Sequence, residues 1–122
     1  MSTLNVGTVK ATTLQTAAGV EVYTCKAWVN FNGTGTVAIR ASGNVSSITD
    51  NRIGDYTVNF TNAFADANYE ANMSVGSTTT NNIFITSTFG TTAYTTSKID
   101  ITCQNGSQSL RDADYVHVSI FR

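Results

Sequence analysis

Lys26-Ala27-Trp28-Val29-Asn30-Phe31-Asn32-Gly33-Thr34-Gly35-Thr36-Val37-Ala38-Ile39-Arg40-Ala41-Ser42 is the stretch on which the fold turns. Ala27, Val29 and Phe31 fall on one face of 26–32, and Val37, Ile39 and Ala41 on one face of 36–42. A period of two of this kind marks a strand with one buried side. The intervening Asn32-Gly33-Thr34-Gly35 supplies residues that accept positive φ, as a tight turn between strands requires.

The same alternation recurs down the chain. Tyr56, Val58 and Phe60 share a face in 55–61, as do Tyr69, Ala71, Met73 and Val75 in 69–75. Ile83, Ile85 and Phe89 mark 83–89, Ile99, Ile101 and Cys103 mark 98–103, and Val116, Val118 and Ile120 mark 115–121. About seven strands are therefore expected after residue 25, with turns at 50–55 and 105–107. No helical period separates them, which excludes a parallel βαβ layout; at most a short helical turn fits 62–68. The expectation is all-β, an antiparallel β-sandwich of jelly-roll-like or Ig-like type.

Composition agrees. Thr, Asn and Ser make up about a third of the 122 residues, and β-branched Thr suits a pleated surface and not a helix. Disorder is the competing reading of so polar a chain, but 41% hydrophobic residues, a net charge of −1 and the absence of proline speak against it. With only 12% charged residues, there is no grip on a phosphate backbone. No apolar run reaches the roughly 20 residues of a membrane helix, and Met1-Ser2-Thr3-Leu4-Asn5 lacks the layout of a signal peptide, so a soluble chain made in the cytoplasm is expected.

Residues 1–24 read differently from 25–122. Leu4, Val6, Val9 and Leu14, followed by Val20, Val22 and Tyr23, are scattered among Thr, Ala and Gly too thinly to build a core. An extended N-terminal arm is expected, held by a partner chain or a second copy, with Leu4, Val6, Val9 and Leu14 as its attachment residues.

Candidate chemistry is sparse. His117 lies near Asp112 and Asp114, but nothing marks an activated nucleophile for a triad, so a packing or subunit-contact histidine is expected. One histidine and two distant cysteines make no metal site, and no cofactor is expected. Asp66 with Glu70 is the carboxylate pair for which glycosidic chemistry comes into question, and an enzyme is not expected. Trp28 follows Cys25 by three residues, unlike the spacing of an immunoglobulin core, so Cys25 and Cys103 read as free, buried thiols. Trp28, Phe84 and Tyr94 fall off the core face of their strands and are candidate surface aromatics. With Asn81 or Asn82, Trp28 and Tyr94 would suit a groove for glycan; the plainer reading is a sandwich corner or subunit interface.

The ordered run Lys26-Ala27-Trp28-Val29-Asn30-Phe31-Asn32-Gly33-Thr34-Gly35, Val37-Ala38-Ile39-Arg40-Ala41-Ser42, Asn44-Val45-Ser46-Ser47-Ile48-Thr49-Asp50, Gly54-Asp55-Tyr56-Thr57-Val58-Asn59-Phe60 and Asp66-Ala67-Asn68-Tyr69 resembles a domain of tail-fibre-like virion structural proteins of marine bacteriophages, cyanophages included. Thr3-Leu4-Asn5-Val6-Gly7-Thr8-Val9-Lys10-Ala11 resembles their amino-terminal segment. The chain departs from the pattern at Phe64-Ala65, where relatives tend to have Met-Pro, and at Arg52-Ile53, where they tend to have small turn residues. The resemblance implies a virion protein, commonly a homotrimer, anchored to other virion proteins by its arm and presenting loops to the host surface. The alternative within that class is a capsid decoration or head-fibre protein. A glycan-binding module is the alternative from another class. Trp28, Phe31, Tyr56, Phe60 and Tyr69 are expected to carry packing.

Overall fold

A computed structural model describes residues 3, 5–79, 82–88 and 92–122. Eight strands occur among them: β1 (Cys25–Asn32), β2 (Ala38–Gly43), β3 (Val45–Arg52), β4 (Asp55–Phe60), β5 (Glu70–Gly76), β6 (Ile83–Ser87), β7 (Lys98–Asn105) and β8 (Tyr115–Phe121). They form two four-stranded antiparallel sheets, β2-β1-β8-β5 and β3-β4-β7-β6, packed as a β-sandwich. The first strand pairs with the last and β4 pairs with β7, a wrapped order that differs from the immunoglobulin arrangement of sheets.

The inward rows are those the alternation marks. Ala27, Val29 and Phe31 meet Val116, Val118 and Ile120 from the first sheet, and Tyr56, Val58, Ile99, Ile101 and Cys103 face them from the second. Fully burying one such aliphatic or aromatic side chain is worth about 1.5–3 kcal/mol, so this inter-sheet layer is the main source of cohesion. Phe31 and Tyr56 meet edge to face at 5.3 Å across the layer. One end of the sandwich is closed by a ring cluster, Phe60, Phe64, Tyr69 and Tyr94, whose neighbouring centroids lie 4.8–5.8 Å apart. Residues 62–68 contain no helical turn. Instead Phe64 N–H donates to Thr96 O at 2.8 Å, and the connection is held by that bond and by its rings.

Three expectations need correction, each for a local reason. First, β3 is not among the strands that alternation marks, because its only apolar residues, Val45 and Ile48, have odd spacing. The register shifts between Val45 and Ser47, so Val45 pairs with Phe60 and Ile48 with Val58, and the bulge brings both to the core side. The turn that follows is consequently shorter than 50–55 and centres on Ile53-Gly54. Secondly, Val37, Ile39 and Ala41 do not share a face. A register shift opposite Asn30 and Phe31 puts Ile39 beside Phe31 and Ala41 beside Asn30, and on this edge strand Ile39 stays 37% exposed. Thirdly, Phe31, Tyr56, Phe60 and Tyr69 are buried, but Trp28 is 43% exposed on the outer side of its sheet and carries none of the core. Phe89 lies outside the described residues.

One residue, Asn44, turns the chain from the first sheet to the second. Its φ of 54° is one that asparagine tolerates. Its side chain fixes the corner by accepting Asn62 N–H at 2.7 Å and donating to Lys26 O and Asn62 O.

Candidate functional site

Two surfaces are left over once the core is closed. The first is the arm. Thr16-Ala17-Ala18-Gly19-Val20 makes a tight turn: Gly19 N–H donates to Thr16 O at 2.9 Å and Thr16 N–H to Val20 O at 2.8 Å, with Gly19 at a φ of 79°. Val22 N–H donates to Leu14 O at 2.7 Å and Gln15 pairs with Glu21, so 14–22 is a small hairpin of the three-residue-loop type. Its pairing places Leu14, Val20 and Val22 on one face and Gln15 and Glu21 on the other. The apolar face is open, with Leu14 47%, Val20 62% and Val22 39% exposed. Val6 and Val9 are 49% and 64% exposed, and Val9 lines the same concavity as Leu14 and Val22; Leu4 lies outside the described residues. A concavity of about 660 Å³ separates the arm from the end of the sandwich, lined by Val9, Leu14, Val22, Tyr23 and Phe121 among others.

The second surface is the outer face of the sheet β2-β1-β8-β5. Two cross-strand rows run over it, Gly43–Trp28–Ser119–Asn72 and Ala41–Asn30–His117–Ser74. The Trp28 indole lies over Gly43, where an added Cβ would come within 2.4 Å of Nε1; the missing side chain is what lets the ring settle there. Beyond these rows, Tyr115 and His117 lie nearly parallel, 8° apart in plane, and the Arg40 guanidinium sits 4.4 Å over the Tyr115 ring while its Nη1 donates to Asn30 Oδ1 at 3.3 Å. A shallow groove of about 310 Å³ runs between Trp28 and Asn72, floored by β8.

The three aromatics expected at the surface do not converge on one place. Trp28 projects from the first sheet, Phe84 is 51% exposed on the outer side of the second, and Tyr94 is part-buried against Tyr69 at the closed end. A groove built from Trp28, Tyr94 and Asn82 is therefore not formed, and Asn81 lies outside the described residues. Around Trp28 the structure brings together Asn30, Asn72, Ser74, His117 and Ser119 instead. Single-strand periodicity cannot find that set, because membership depends on the register between β1, β8 and β5.

The acidic candidates have structural occupations. Asp112 Oδ1 accepts Gly54 N–H at 2.8 Å and the Tyr56 hydroxyl at 2.7 Å, and Asp114 is bonded by the Thr78 hydroxyl and backbone; neither contacts His117. The Thr78 bonds hold the Asp114 carboxyl below its usual range. Asp66 pairs bidentately with Arg122 at 2.7 and 3.0 Å, which lowers its carboxyl likewise, and it makes no dyad with Glu70. Cys25 and Cys103 are both free, as expected, but only Cys103 is buried; Cys25 is exposed at the start of β1. Burial pushes the Cys103 thiol up to about 12. Among the described residues no three His, Cys, Asp or Glu side chains form a group that could hold a metal ion, and no helix is long and apolar enough to cross a membrane. Compared with protein-family models, with curated proteins and with solved structures, the chain matches none.

Proposed function

We propose that the chain is a structural module of a bacteriophage virion: a β-sandwich carried on an arm, assembled as a homotrimer and anchored through that arm to other virion proteins. The observation that carries this reading is the open apolar face of the 14–22 hairpin. A two-stranded hairpin is marginal alone in water, and leaving Leu14, Val20 and Val22 half-covered forgoes part of the about 1.5–3 kcal/mol that full burial of each would give. Such a face needs covering from outside, by neighbouring copies and by the attachment site. The resemblance of 3–11 and of the ordered motifs from 26 to 69 to tail-fibre-like proteins names the kind of assembly.

The second sheet supports the same reading. Its outer face is a self-bonded polar lattice: Asn51 Nδ2 donates to the Thr57 hydroxyl at 3.1 Å, which donates to Asp100 Oδ1 at 2.6 Å, and Asn59 Nδ2 reaches Thr49 and Ser47 hydroxyls. The Lys98–Asp100 and Arg52–Asp55 ion pairs join this lattice, and side chains that satisfy one another stay ordered, which suits a particle component exposed outside the cell. The test is incorporation. Virions made with 25–122 in place of the full chain should lack the protein, while normal incorporation of the truncated chain would remove the arm from the account.

A further inference from the structure

We infer that the outer face of the sheet β2-β1-β8-β5 is a binding site for a neutral saccharide, with Trp28 as the stacking platform and Asn72, Ser119, Asn30 and His117 as its polar contacts. This site does not depend on the virion reading, and no residue of the arm lines its groove.

The two outer faces differ in what their polar groups do. The second carries Thr, Ser, Asn and Asp in its cross-strand rows, whereas the first carries Asn, Ser and His beside Trp28 and has no Thr in any of its four strands. On the second sheet these groups bond to one another in the lattice from Asn51 to Asp100. On the first, the side chains of Asn72, Ser74 and Ser119 make no hydrogen bond among the described residues, and the His117 ring nitrogens have no protein partner there. These donors and acceptors are not used within the fold and are open to water or to a ligand.

Beside them lies the chain's single tryptophan, 43% exposed and seated over Gly43. A ring held down on one side and open on the other presents a flat apolar surface of the kind that packs on the C–H face of a sugar, while an adjacent amide and hydroxyls match the sugar's equatorial hydroxyls. Strands lie about 4.8 Å apart, so the row from Trp28 across Ser119 to Asn72 spans roughly 10 Å, and the row through Asn30, His117 and Ser74 lies about 7 Å further along. That area suits one or two rings. Charge decides the class. The groove is lined by no carboxylate and no lysine, and Arg40, which reaches its lining residue Asn30, is stacked on Tyr115. Nothing there selects an acidic sugar.

Because Trp28 is the only tryptophan, its emission reports this face alone. The full chain is titrated with neutral disaccharides of glucose, galactose, mannose and N-acetylglucosamine, with sialyllactose as the charged comparison. Saturation-transfer NMR is run in parallel, so that Trp28→Ala can be followed without its fluorescence. The expected result is a saturable emission change and a saturation-transfer signal with at least one neutral disaccharide at millimolar concentration, the saturation-transfer signal being lost in Trp28→Ala, and affinity weakened roughly threefold to tenfold in Asn72→Ala and unaltered in Phe84→Ala on the opposite face. Acrylamide quenching of Trp28 in the assembled protein is measured first. An indole shielded from quencher would identify the face as a subunit contact and overturn the inference. Binding that survives Trp28→Ala, response to sialyllactose alone, or no response to any neutral disaccharide would each overturn it as well.

Discussion

The Tyr56 hydroxyl and the Asp112 carboxylate are 2.7 Å apart, and through this one contact three separate connections are tied together. The same phenol lies 2.8 Å from Gly33 O in the β1–β2 loop, and the same carboxylate oxygen accepts Gly54 N–H from the β3–β4 turn. Asp112 itself belongs to the β7–β8 connection. An Asp on a loop and a Tyr in the core thus lock one end of the sandwich, as the ring cluster around Tyr69 closes the other.

Removing either partner should expose how much the lock contributes. Tyr56→Phe and Asp112→Ala are each expected to lower unfolding free energy by about 1–3 kcal/mol, because each leaves a part-buried polar group without its bond. The double variant should lose clearly less than the two losses added, since both remove the same contact. Urea unfolding of the four proteins checks this; strict additivity would show that the contact contributes nothing.

Alkali should weaken the domain well before its basic side chains lose their charge. Burial, and then the bond to Asp112, raises the Tyr56 phenol, and burial raises the Cys103 thiol to about 12. Both groups stay protonated in the folded chain at a pH where the unfolded chain has released its protons, at about 8.5 for Cys and 10 for Tyr. Stability is therefore full below those values and falls as pH rises through them. Thermal midpoints measured from about pH 7 to 11 should decline from about pH 9, and in Cys103→Ala the decline should begin nearer to about pH 10.

The two thiols should separate kinetically. Cys25 is exposed and Cys103 is fully buried, paired in the sheet with Ile85. One equivalent of a thiol reagent should react promptly with the native chain, at Cys25 by peptide mapping, and the second only on unfolding. Equal rates would contradict the packing of β7.

Two glycines at positive φ should differ when changed to alanine. At Gly35, with a φ of 61°, a Cβ meets nothing within 4 Å, so only the left-handed backbone is penalised, by about 1–2 kcal/mol. At Gly54, with a φ of 67°, a Cβ would also come 2.5 Å from Cys103 O and 2.6 Å from Arg111 N, backbone atoms of the β7 pairing that cannot swing away. Gly54→Ala should be the more destabilising of the two in the same urea series.

These features differ in how far the sequence alone reveals them. Strands with strict alternation, such as Ile99-Asp100-Ile101-Thr102-Cys103, are legible because one side meets the core and the other meets water. Legibility fails wherever a bulge reverses the alternation. Ile48 looks misplaced until the bulge after Val45 turns it inward, and Ala41 looks like a core residue until the shift opposite Asn30 and Phe31 turns it outward. The face around Trp28 needs still more. That Trp28 points away from the core follows from its neighbours, but that Gly43, Ser119 and Asn72 lie in its row is a property of strands far apart in sequence. The open face of the arm is partly visible in the scatter of Val and Leu. Its hairpin is signalled by Ala17-Ala18-Gly19, a turn that an expectation of extended chain passes over.

The central claim, that the arm exists to be covered by other chains, is tested most directly by equilibrium sedimentation of the full chain beside a Val20→Ser, Val22→Ser variant at micromolar concentration. These two substitutions leave every residue of the sandwich core in place. The predicted result is a mass three times the 13.0 kDa chain for the first and a shift toward the single-chain mass for the second. A full chain that sediments as a monomer, or a variant trimer as tight as the original, would contradict it.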